Sequence, residues 1–168
     1  MGTRQHKADA PGSVRVAIIS VSTTRSLAED KSGHWIGRRA LKEGHRVVGH
    51  VVVPDDIAAV RKAVDEARRS FGAQAVLVTG GTGISRLDVT IEAVRPLFDK
   101  ELSSFAVLFT QLSFDEIDSA ALLSRATAGV IGDSVVFCMP GSLKACKLAC
   151  RELVFPELGH MIHHLTKG

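Results

Sequence analysis

The sequence predicts an α/β protein: a single three-layer domain with a mainly parallel β-sheet and helices on both faces. Three observations lead to this prediction. Strand-like and helix-like segments alternate along the chain, which favours crossover connections between parallel strands. The chain has 168 residues, a length typical of one domain. Apolar residues make up 45% and charged residues 23% of the composition, as is usual for globular proteins.

The amino-terminal half is predicted to contain three strands and two helices. The third strand is a short apolar run that ends in glycines, which is typical of a strand buried on both faces. The second helix places Ile57, Val60 and Val64 on one face and charged residues opposite. Gly44 and Pro54 are stop signals for the elements before them. The predicted elements are strand 14–22, helix 32–43, strand 46–53, helix 57–70 and strand 73–81.

The carboxyl-terminal half is predicted to be mostly helical, with one β-hairpin. The hairpin turns at Gly132-Asp133, between two apolar runs. The last helix is expected to bend or restart at Pro156, because proline has no N–H to donate within a helix. The predicted elements are a helix from about 90 to 98, a mostly helical stretch at 101–126, the hairpin within 127–141 and a final helix from 142.

Residues 1–13 are polar and are predicted to form a flexible tail before a domain that spans residues 14–168. They contain no hydrophobic stretch of the kind found in signal peptides. No apolar run in the chain approaches the roughly 18 residues that span a bilayer, so no membrane association is predicted. Cys138, Cys146 and Cys150 form an odd, clustered set rather than a disulfide framework. We therefore expect a cytoplasmic protein with free, buried thiols.

The charge pattern argues against nucleic acid as a partner. The formal net charge is only +3, which implies nucleic-acid binding only when the basic residues are clustered. The basic residues of helix 57–70 are mixed with acidic ones, and no aromatic side chains stand between them. Tyrosine is absent from the chain, so a platform for stacking bases is not expected.

Functional residues are expected in the loops that follow the strands, because ligands of such sheets bind outside the carboxyl ends of the strands. The loop after the third strand is Thr79-Gly80-Gly81-Thr82-Gly83. Glycines allow backbone N–H groups to approach a phosphate closely. The alternative is a tight turn that needs positive φ angles. The glycine count alone does not decide between these two interpretations.

Two carboxylates near strand ends are candidate ligands of Mg²⁺, a cation that prefers oxygen. Asp88 follows the glycine loop, although an aspartate at the start of a helix is usually a cap. Asp55 and Asp56 follow the second strand. Asp56 is in the better position to cap the next helix, which leaves Asp55 as the spare carboxylate.

The loops after the first and last strands also carry polar groups. Asp30 or Ser32 can cap the helix that follows the first strand, while the amides of its first turn remain available to an anion. Gly141 and Ser142 could present amides and a hydroxyl to a phosphate, and Lys144 adds positive charge; the alternative is that Ser142 is simply an N-cap. Together the four loops suit metal-assisted phosphoryl or nucleotidyl transfer.

Five short motifs follow one another along the chain: Asp30-Lys31-Ser32-Gly33, Pro54-Asp55, Thr79-Gly80-Gly81-Thr82-Gly83 with Asp88-Val89-Thr90, Ser124-Arg125 and Met139-Pro140-Gly141-Ser142. In these motifs and in their order, the chain resembles the molybdenum cofactor biosynthesis family of the MogA/MoaB type, which includes the G domains of gephyrin and its plant counterpart. The resemblance covers about residues 14–160, and its most specific motif is the Gly-Gly-Thr-Gly run followed by Asp-Val-Thr.

This resemblance implies a homo-oligomer, a trimer or hexamer, that adenylylates molybdopterin with Mg-ATP and releases pyrophosphate. Asp55 and Asp88 match the two aspartates that active members need, so they are the implied catalytic and Mg²⁺-binding residues. A downstream metal-inserting protein is a further expected partner. The candidate residues for binding molybdopterin and ATP are Asp30, Ser32, Gly33, Gly80, Gly81, Thr82, Gly83, Thr90, Pro140, Gly141, Ser142 and Lys144.

One segment departs from the family pattern. The chain has Ser104-Phe105-Ala106-Val107 where family members commonly carry Gly-Phe-Gly-Glu, so Val107 stands in place of a glutamate. The alternative function is therefore a protein of the MoaB branch that binds or carries molybdopterin without catalysis. The resemblance leaves open whether molybdenum or tungsten is finally inserted.

Overall fold

The computed structural model describes residues 12–167, which form a six-stranded sheet in the order β2-β1-β3-β6-β5-β4. β2, β1, β3 and β6 are parallel, whereas β5 and β4 complete the sheet with antiparallel pairings. This confirms the predicted mainly parallel sheet. Except for Gly12 and Ser13, the predicted tail lies outside the described residues. The strands are β1 (Arg15–Val21), β2 (Arg46–Val53), β3 (Ala75–Thr79), β4 (Lys100–Glu101), β5 (Thr127–Ile131) and β6 (Ser134–Met139).

The helices agree with the predicted positions, with two local differences. The helix that starts at Thr90 is short and continues as a 3-10 turn over Arg95–Leu97. A π-helical turn at Cys150–Val154 precedes the last helix, which restarts next to Pro156 as expected. The α-helices are α1 (Lys31–Lys42), α2 (Ile57–Arg69), α3 (Thr90–Val94), α4 (Ser103–Ile117), α5 (Leu143–Ala149) and α6 (Phe155–Lys167).

Two hydrophobic cores lie on opposite faces of the sheet and make the three layers. Side chains of a strand point alternately to its two faces. Val16 and Ile18 of β1 accordingly pack in one core, which includes residues of α1, α4, α5 and α6. Ile19 packs in the other core, together with Val60 and Val64 of α2. All five residues of β3 are buried, as predicted for a central strand.

The parallel strands bring their following loops to one edge of the sheet. β1, β3 and β6 run in register from Val16, Ala75 and Val135 to Ser20, Thr79 and Met139. Their carboxyl ends, together with that of β2, therefore open onto the same side. The sequence-predicted loops lie where the alternating pattern placed them.

The cysteines are free and buried, as expected from their sequence pattern. Burial raises the pKa of the Cys138 and Cys150 thiols well above the ordinary value, which keeps them protonated and unreactive. No helix within residues 12–167 is long and apolar enough to cross a membrane. The cytoplasmic location stays a prediction.

Candidate functional site

A cleft of about 230 Å³ opens at the carboxyl edge of the sheet. Its walls come from the loops after β1, β3 and β6 and from the segment before β5. It brings together most of the glycine loop, one candidate aspartate and the turn after β6. The lining residues are Val21, Ser22, Arg25, Gly80, Gly81, Thr82, Gly83, Asp88, Ser124, Pro140 and Gly141.

The glycine loop is a tight turn that only glycine accommodates. Gly80 has φ +95° and Gly81 has φ +63°, in the left-handed region that side chains disfavour. A Cβ atom on Gly80 would overlap the carbonyl oxygen of Val21, and one on Gly81 would overlap the hydroxyl of Thr90. The turn is therefore sterically committed to glycine at both positions.

Thr90 supports this turn from the protein interior. Thr90 is fully buried. Its hydroxyl donates to the carbonyl of Gly80 at 2.8 Å, and its amide donates to the carbonyl of Gly81 at 2.9 Å. Because Thr90 binds the carbonyls of Gly80 and Gly81, the N–H groups of the same peptide planes point away from Thr90.

The same turn offers hydrogen-bond donors to an anion. Within residues 12–167, the backbone N–H groups of Gly81 and Thr82 have no acceptor. Thr82 exposes only 2% of its surface, so its amide is poorly placed for bulk water. Buried N–H groups are almost always paired in native proteins. The loop is therefore both a tight turn and a candidate anion-binding site, because the geometry of the turn leaves these amides free to donate.

Asp88 is not a helix cap. The N-cap of α3 is Val89, which makes no side-chain cap. Instead, Asp88 Oδ2 accepts a hydrogen bond from the amide of Ser85 at 2.8 Å. Asp88 Oδ2 also lies 2.8 Å from the position that a Cβ atom on Gly83 would take. This removes the capping alternative and puts the carboxylate against the glycine loop.

The surroundings of Asp88 favour its ionised form. Burial alone would raise its pKa, but hydrogen bonds from Ser85 and Gly83 and the positive charge of Arg125 outweigh that effect. The pKa is therefore lower than that of an ordinary aspartate. Asp88 consequently lines the cleft as a carboxylate at neutral pH.

Asp55 is also free of capping, as predicted. Asp56 caps α2 by accepting from the amide of Ala59 at 2.8 Å. Asp55 Oδ2 accepts from the amide and the hydroxyl of Thr23, both at 2.8 Å. Its other oxygen, Oδ1, lies 3.3 Å from the position of a Cβ atom on Gly81. Asp55 and Asp88 therefore flank the glycine loop at Gly81 and Gly83.

These two carboxylates are the candidate ligands of a magnesium ion that would bind together with phosphate. No group of three or more His, Cys, Asp or Glu side chains in the described part of the chain is arranged to hold a metal. Mg²⁺ in phosphate-transfer sites usually takes one or two carboxylates and completes its shell with substrate phosphates and water. A pair of aspartates beside free amides matches that donor set in type.

Asp30 is buried and organises the start of α1. It is the N-cap of α1, and its Oδ1 accepts from the amide of Gly33 at 3.0 Å. Its Oδ2 accepts from the hydroxyl of Ser20 and lies 2.7 Å from His50 Nε2. A Cβ atom on Gly33 would overlap both Asp30 and His50. Contact of Asp30 or Gly33 with a ligand stays a prediction.

Replacing Asp30 with asparagine is expected to destabilise the fold in a pH-dependent way. Burial raises the pKa of Asp30, but hydrogen bonds from Ser20, Gly33 and His50 outweigh it and lower the pKa overall. A lowered folded-state pKa stabilises the protein above the unfolded pKa of about 3.9, and this contribution disappears as the pH falls through the folded-state value. Urea unfolding of Asp30→Asn should show a loss of about 1–3 kcal/mol near neutral pH.

The control is the same comparison in acid. The difference in unfolding free energy between wild type and Asp30→Asn should shrink as the pH is lowered towards about 3. A difference that stays constant across this range would contradict the assigned role of the Asp30 carboxylate.

The turn after β6 packs directly on the glycine loop. Ser32 is buried, and its hydroxyl donates to the carbonyl of Gly141 at 2.9 Å. A Cβ atom on Gly141 would lie 3.1 Å from Gly80 Cα. Pro140 lines the cleft, and its carbonyl accepts from the Thr79 hydroxyl at 3.0 Å. Ser32 therefore holds one cleft-lining loop in place.

Two predicted binding residues lie beside the cleft rather than in its wall. Ser142 is the N-cap of α5 and accepts from the amide of Ala145 at 3.2 Å. Lys144 is exposed, and its Nζ lies 3.6 Å from Glu116 Oε2. Both line a neighbouring cavity of about 90 Å³, which Ser124 connects with the cleft. Their roles in ligand binding stay predictions.

Three residues that shape this site were not predicted from the sequence. Arg25 lines the cleft and brings a positive charge, Thr23 holds Asp55, and Arg125 contacts the glycine loop. Arg25 and Thr23 belong to the loop after β1, in which the sequence pointed only to Asp30 and Ser32 at its end. Arg125 belongs to the Ser124-Arg125 motif, but the sequence did not indicate which groups it contacts.

Val107, which stands in place of the family glutamate, lies outside the cleft wall. It is 66% exposed on α4 and is absent from the lining of the cleft. The replacement therefore changes the surface of α4.

Comparison with known proteins identifies the family. Residues 17–160 match the model of the family described as "Probable molybdopterin binding domain". The chain belongs to the molybdenum cofactor biosynthesis family. This confirms the resemblance inferred from the loop motifs, and it gives the chain a role in molybdenum cofactor biosynthesis.

Members of this family with similar sequences align with nearly the whole chain. The Bacillus cereus Molybdenum cofactor biosynthesis protein B is 43% identical over 99% of this chain and 99% of its own length. A Molybdopterin adenylyltransferase from Pyrococcus furiosus is 43% identical over 98% of each chain. The crystal structure of a tungsten cofactor synthesizing protein MoaB from Pyrococcus furiosus superposes with a TM-score of 0.85 at 42% identity, covering 93% of this chain and 99% of the other.

Proposed function

We propose that this protein is a molybdopterin adenylyltransferase that uses Mg-ATP. The observation that carries the proposal is the convergence on the glycine loop of free amides and two aspartates that cap no helix, Asp88 in the cleft wall and Asp55 beside Gly81. Anions bind readily to such amide clusters. The relative named Molybdopterin adenylyltransferase, which matches over 98% of each chain, supports the same reaction.

The proposed reaction transfers AMP to the terminal phosphate of molybdopterin. An oxygen of that phosphate forms a bond to the α-phosphorus of ATP. The bond between the α-phosphorus and the oxygen that bridges to the β-phosphate breaks, and pyrophosphate leaves with the electron pair. The products are adenylyl-molybdopterin and pyrophosphate.

The chain's own groups would bind and orient the phosphates. The amides of Gly81 and Thr82 donate to phosphate oxygens of ATP, and Gly80 and Gly83 keep side chains out of the way. Pro140 and Gly141 line the same cleft next to the glycine loop. Arg25, from the loop after β1, provides a positive charge in the cleft.

Asp55 and Asp88 are the proposed catalytic and metal-binding residues. Each has one oxygen held by the protein, Asp55 by Thr23 and Asp88 by Ser85, which fixes the orientation of the carboxylate. When bound, Mg²⁺ would neutralise charge on the triphosphate and on the departing pyrophosphate. The remaining candidates Asp30, Ser32, Gly33 and Thr90 would act mainly by holding the loops, with Ser142 and Lys144 placed to contact a ligand that extends into the neighbouring cavity.

Isotope labelling tests this proposal. ATP labelled at the α-phosphate should pass its label to a pterin-containing product, and ATP labelled at the γ-phosphate should release labelled pyrophosphate. Both should appear in equal amounts and only when molybdopterin is present. Binding of molybdopterin with no transfer of label would instead support the carrier alternative.

We also propose that the protein self-associates. Several large apolar side chains of α4 and the following turn are exposed, and contiguous exposed apolar surface commonly marks an interface. They are Val107, Leu108, Phe114, Ile117, Leu122 and Leu123.

Light scattering at micromolar concentration should give a mass near three or six times 17.9 kDa. Phe114→Glu should lower that mass, whereas a monomeric wild type would contradict the proposal. A metal-inserting partner stays a prediction.

A further inference from the structure

Arg125 donates three hydrogen bonds to the glycine loop, and no sequence motif indicated these contacts. Its Nε donates to the carbonyl of Thr82 at 3.2 Å and to the carbonyl of Gly83 at 3.0 Å. Its backbone amide also donates to the Thr82 carbonyl at 3.2 Å. Its guanidinium pairs with both carboxylate oxygens of Glu92, at 2.5 and 3.3 Å. Arg125 thus joins the loop after β3 to the first turn of α3.

Arg125 contacts the glycine loop without lining the cleft. It borders a cavity of about 400 Å³ next to the cleft, and it is not among the residues that line the cleft itself. In a trans peptide the C=O and the following N–H point in opposite directions. Because Arg125 draws the carbonyls of Thr82 and Gly83 towards itself, the amides of Gly83 and Ile84 are directed away from it. The hydrogen bond from Gly83 that helps to lower the pKa of Asp88 agrees with this direction.

The pair with Glu92 fixes the position of the guanidinium. The hydrogen bond from Arg125, opposed by burial, lowers the pKa of Glu92, and the pKa of Arg125 is raised in return. A planar guanidinium can pair with a carboxylate and still donate from Nε, whereas a lysine ammonium is a single point charge. The geometry therefore requires arginine specifically.

We propose that Arg125, held by Glu92, is a positioning residue that fixes two peptide planes at the end of the glycine loop, so that the Gly83 amide holds Asp88 and the free amides of Gly81 and Thr82 stay directed at the phosphates of ATP. Its effect is on nucleotide binding and not on molybdopterin binding, because its contacts are confined to the nucleotide loop and α3. This inference rests on the proposed use of the loop to bind ATP.

The test compares Arg125→Lys with Arg69→Lys. Arg69 is an arginine of α2 whose Nε pairs with Asp65 at 2.7 Å on the exposed face of that helix, so it controls for the loss of a guanidinium in an ion pair. Calorimetry would measure Mg-ATP affinity, and steady-state kinetics would measure KM for ATP and for molybdopterin. Arg125→Lys should weaken ATP binding and raise the ATP KM by at least about tenfold, with the molybdopterin KM unchanged, and Arg69→Lys should match wild type.

A second variant keeps the inference testable if Arg125→Lys does not fold. Glu92→Gln leaves Arg125 in place but removes its charged partner, and it should weaken ATP binding in the same direction by a smaller factor. Wild-type ATP affinity in folded Arg125→Lys, or an equal rise of both KM values, would overturn the positioning role. Failure of wild-type protein to bind Mg-ATP at all would instead overturn the proposed function on which it rests.

Discussion

Asp88→Asn is expected to lower the rate of pyrophosphate release by roughly 10²-fold or more, equivalent to about 2.7 kcal/mol of transition-state stabilisation. Asp55→Asn should have an effect of similar size. Each substitution removes a negative charge next to the glycine loop while keeping an oxygen that can accept from Ser85 or Thr23. Thermal stability should therefore change little, and the loss should appear in kcat.

Asp56→Asn is the matched control for this pair. Asp56 is adjacent to Asp55 in the chain but caps α2 through Ala59, and asparagine is an equally good N-cap. Turnover and stability of Asp56→Asn should both resemble wild type. Normal turnover in Asp55→Asn and Asp88→Asn would remove the catalytic assignment and leave both aspartates as structural groups.

Gly81→Ala is expected to abolish measurable ATP binding or to weaken it by well over tenfold, which is about 1.4 kcal/mol. The new Cβ atom would overlap the Thr90 hydroxyl and approach Asp55 Oδ1. The Thr90 hydrogen bond to Gly80 would be displaced, and the free amides of the loop would move with it. A positive φ in a residue with a side chain adds strain of about 1–3 kcal/mol, so stability should fall as well.

Gly72→Ala is the control that separates the effect of backbone strain from the loss of the phosphate-binding loop. Gly72 also has a positive φ, +62°, but a Cβ atom there would meet only Arg15 Nε at 3.8 Å. Gly72→Ala should lose some stability and keep ATP affinity. If calorimetry showed wild-type ATP affinity for folded Gly81→Ala, the phosphate-binding role of the loop would be wrong.

Much of the fold could be predicted because it depends on local patterns. Alternating apolar runs and amphipathic helices indicated β1, β2, β3 and the parallel sheet, and that topology alone placed the four loops at one edge. The two-residue strand β4 and its antiparallel pairing could not be predicted in this way, since Lys100 and Glu101 carry no strand signal and pair only because β5 lies beside them.

The carboxylates show how far local reasoning extends. Asp56 could be assigned as a cap because it directly precedes an amphipathic helix. The role of Asp88 could not be settled from sequence, because it depended on whether α3 begins after Asp88 or one residue later. The structure places the N-cap at Val89, which frees Asp88 for the cleft.

Residues that act through distant backbone groups had no sequence signal. Arg125 is 42 residues beyond Gly83 in the chain, and Thr23 reaches Asp55 across 32 residues. Contacts at such separations along the chain follow no helix or strand periodicity. Both exist only once β1, β2, β3 and β5 have assembled. The contact of Lys144 with Glu116 likewise had no sequence signal, and its role in ligand binding stays a prediction.

The most direct test of the proposed function is molybdopterin-dependent release of pyrophosphate by the purified wild-type protein. With Mg²⁺ and ATP present, addition of molybdopterin should release about one pyrophosphate for each molybdopterin converted, and omission of molybdopterin should abolish the release. A protein that binds both molybdopterin and ATP but releases no pyrophosphate above background would contradict the adenylyltransferase assignment.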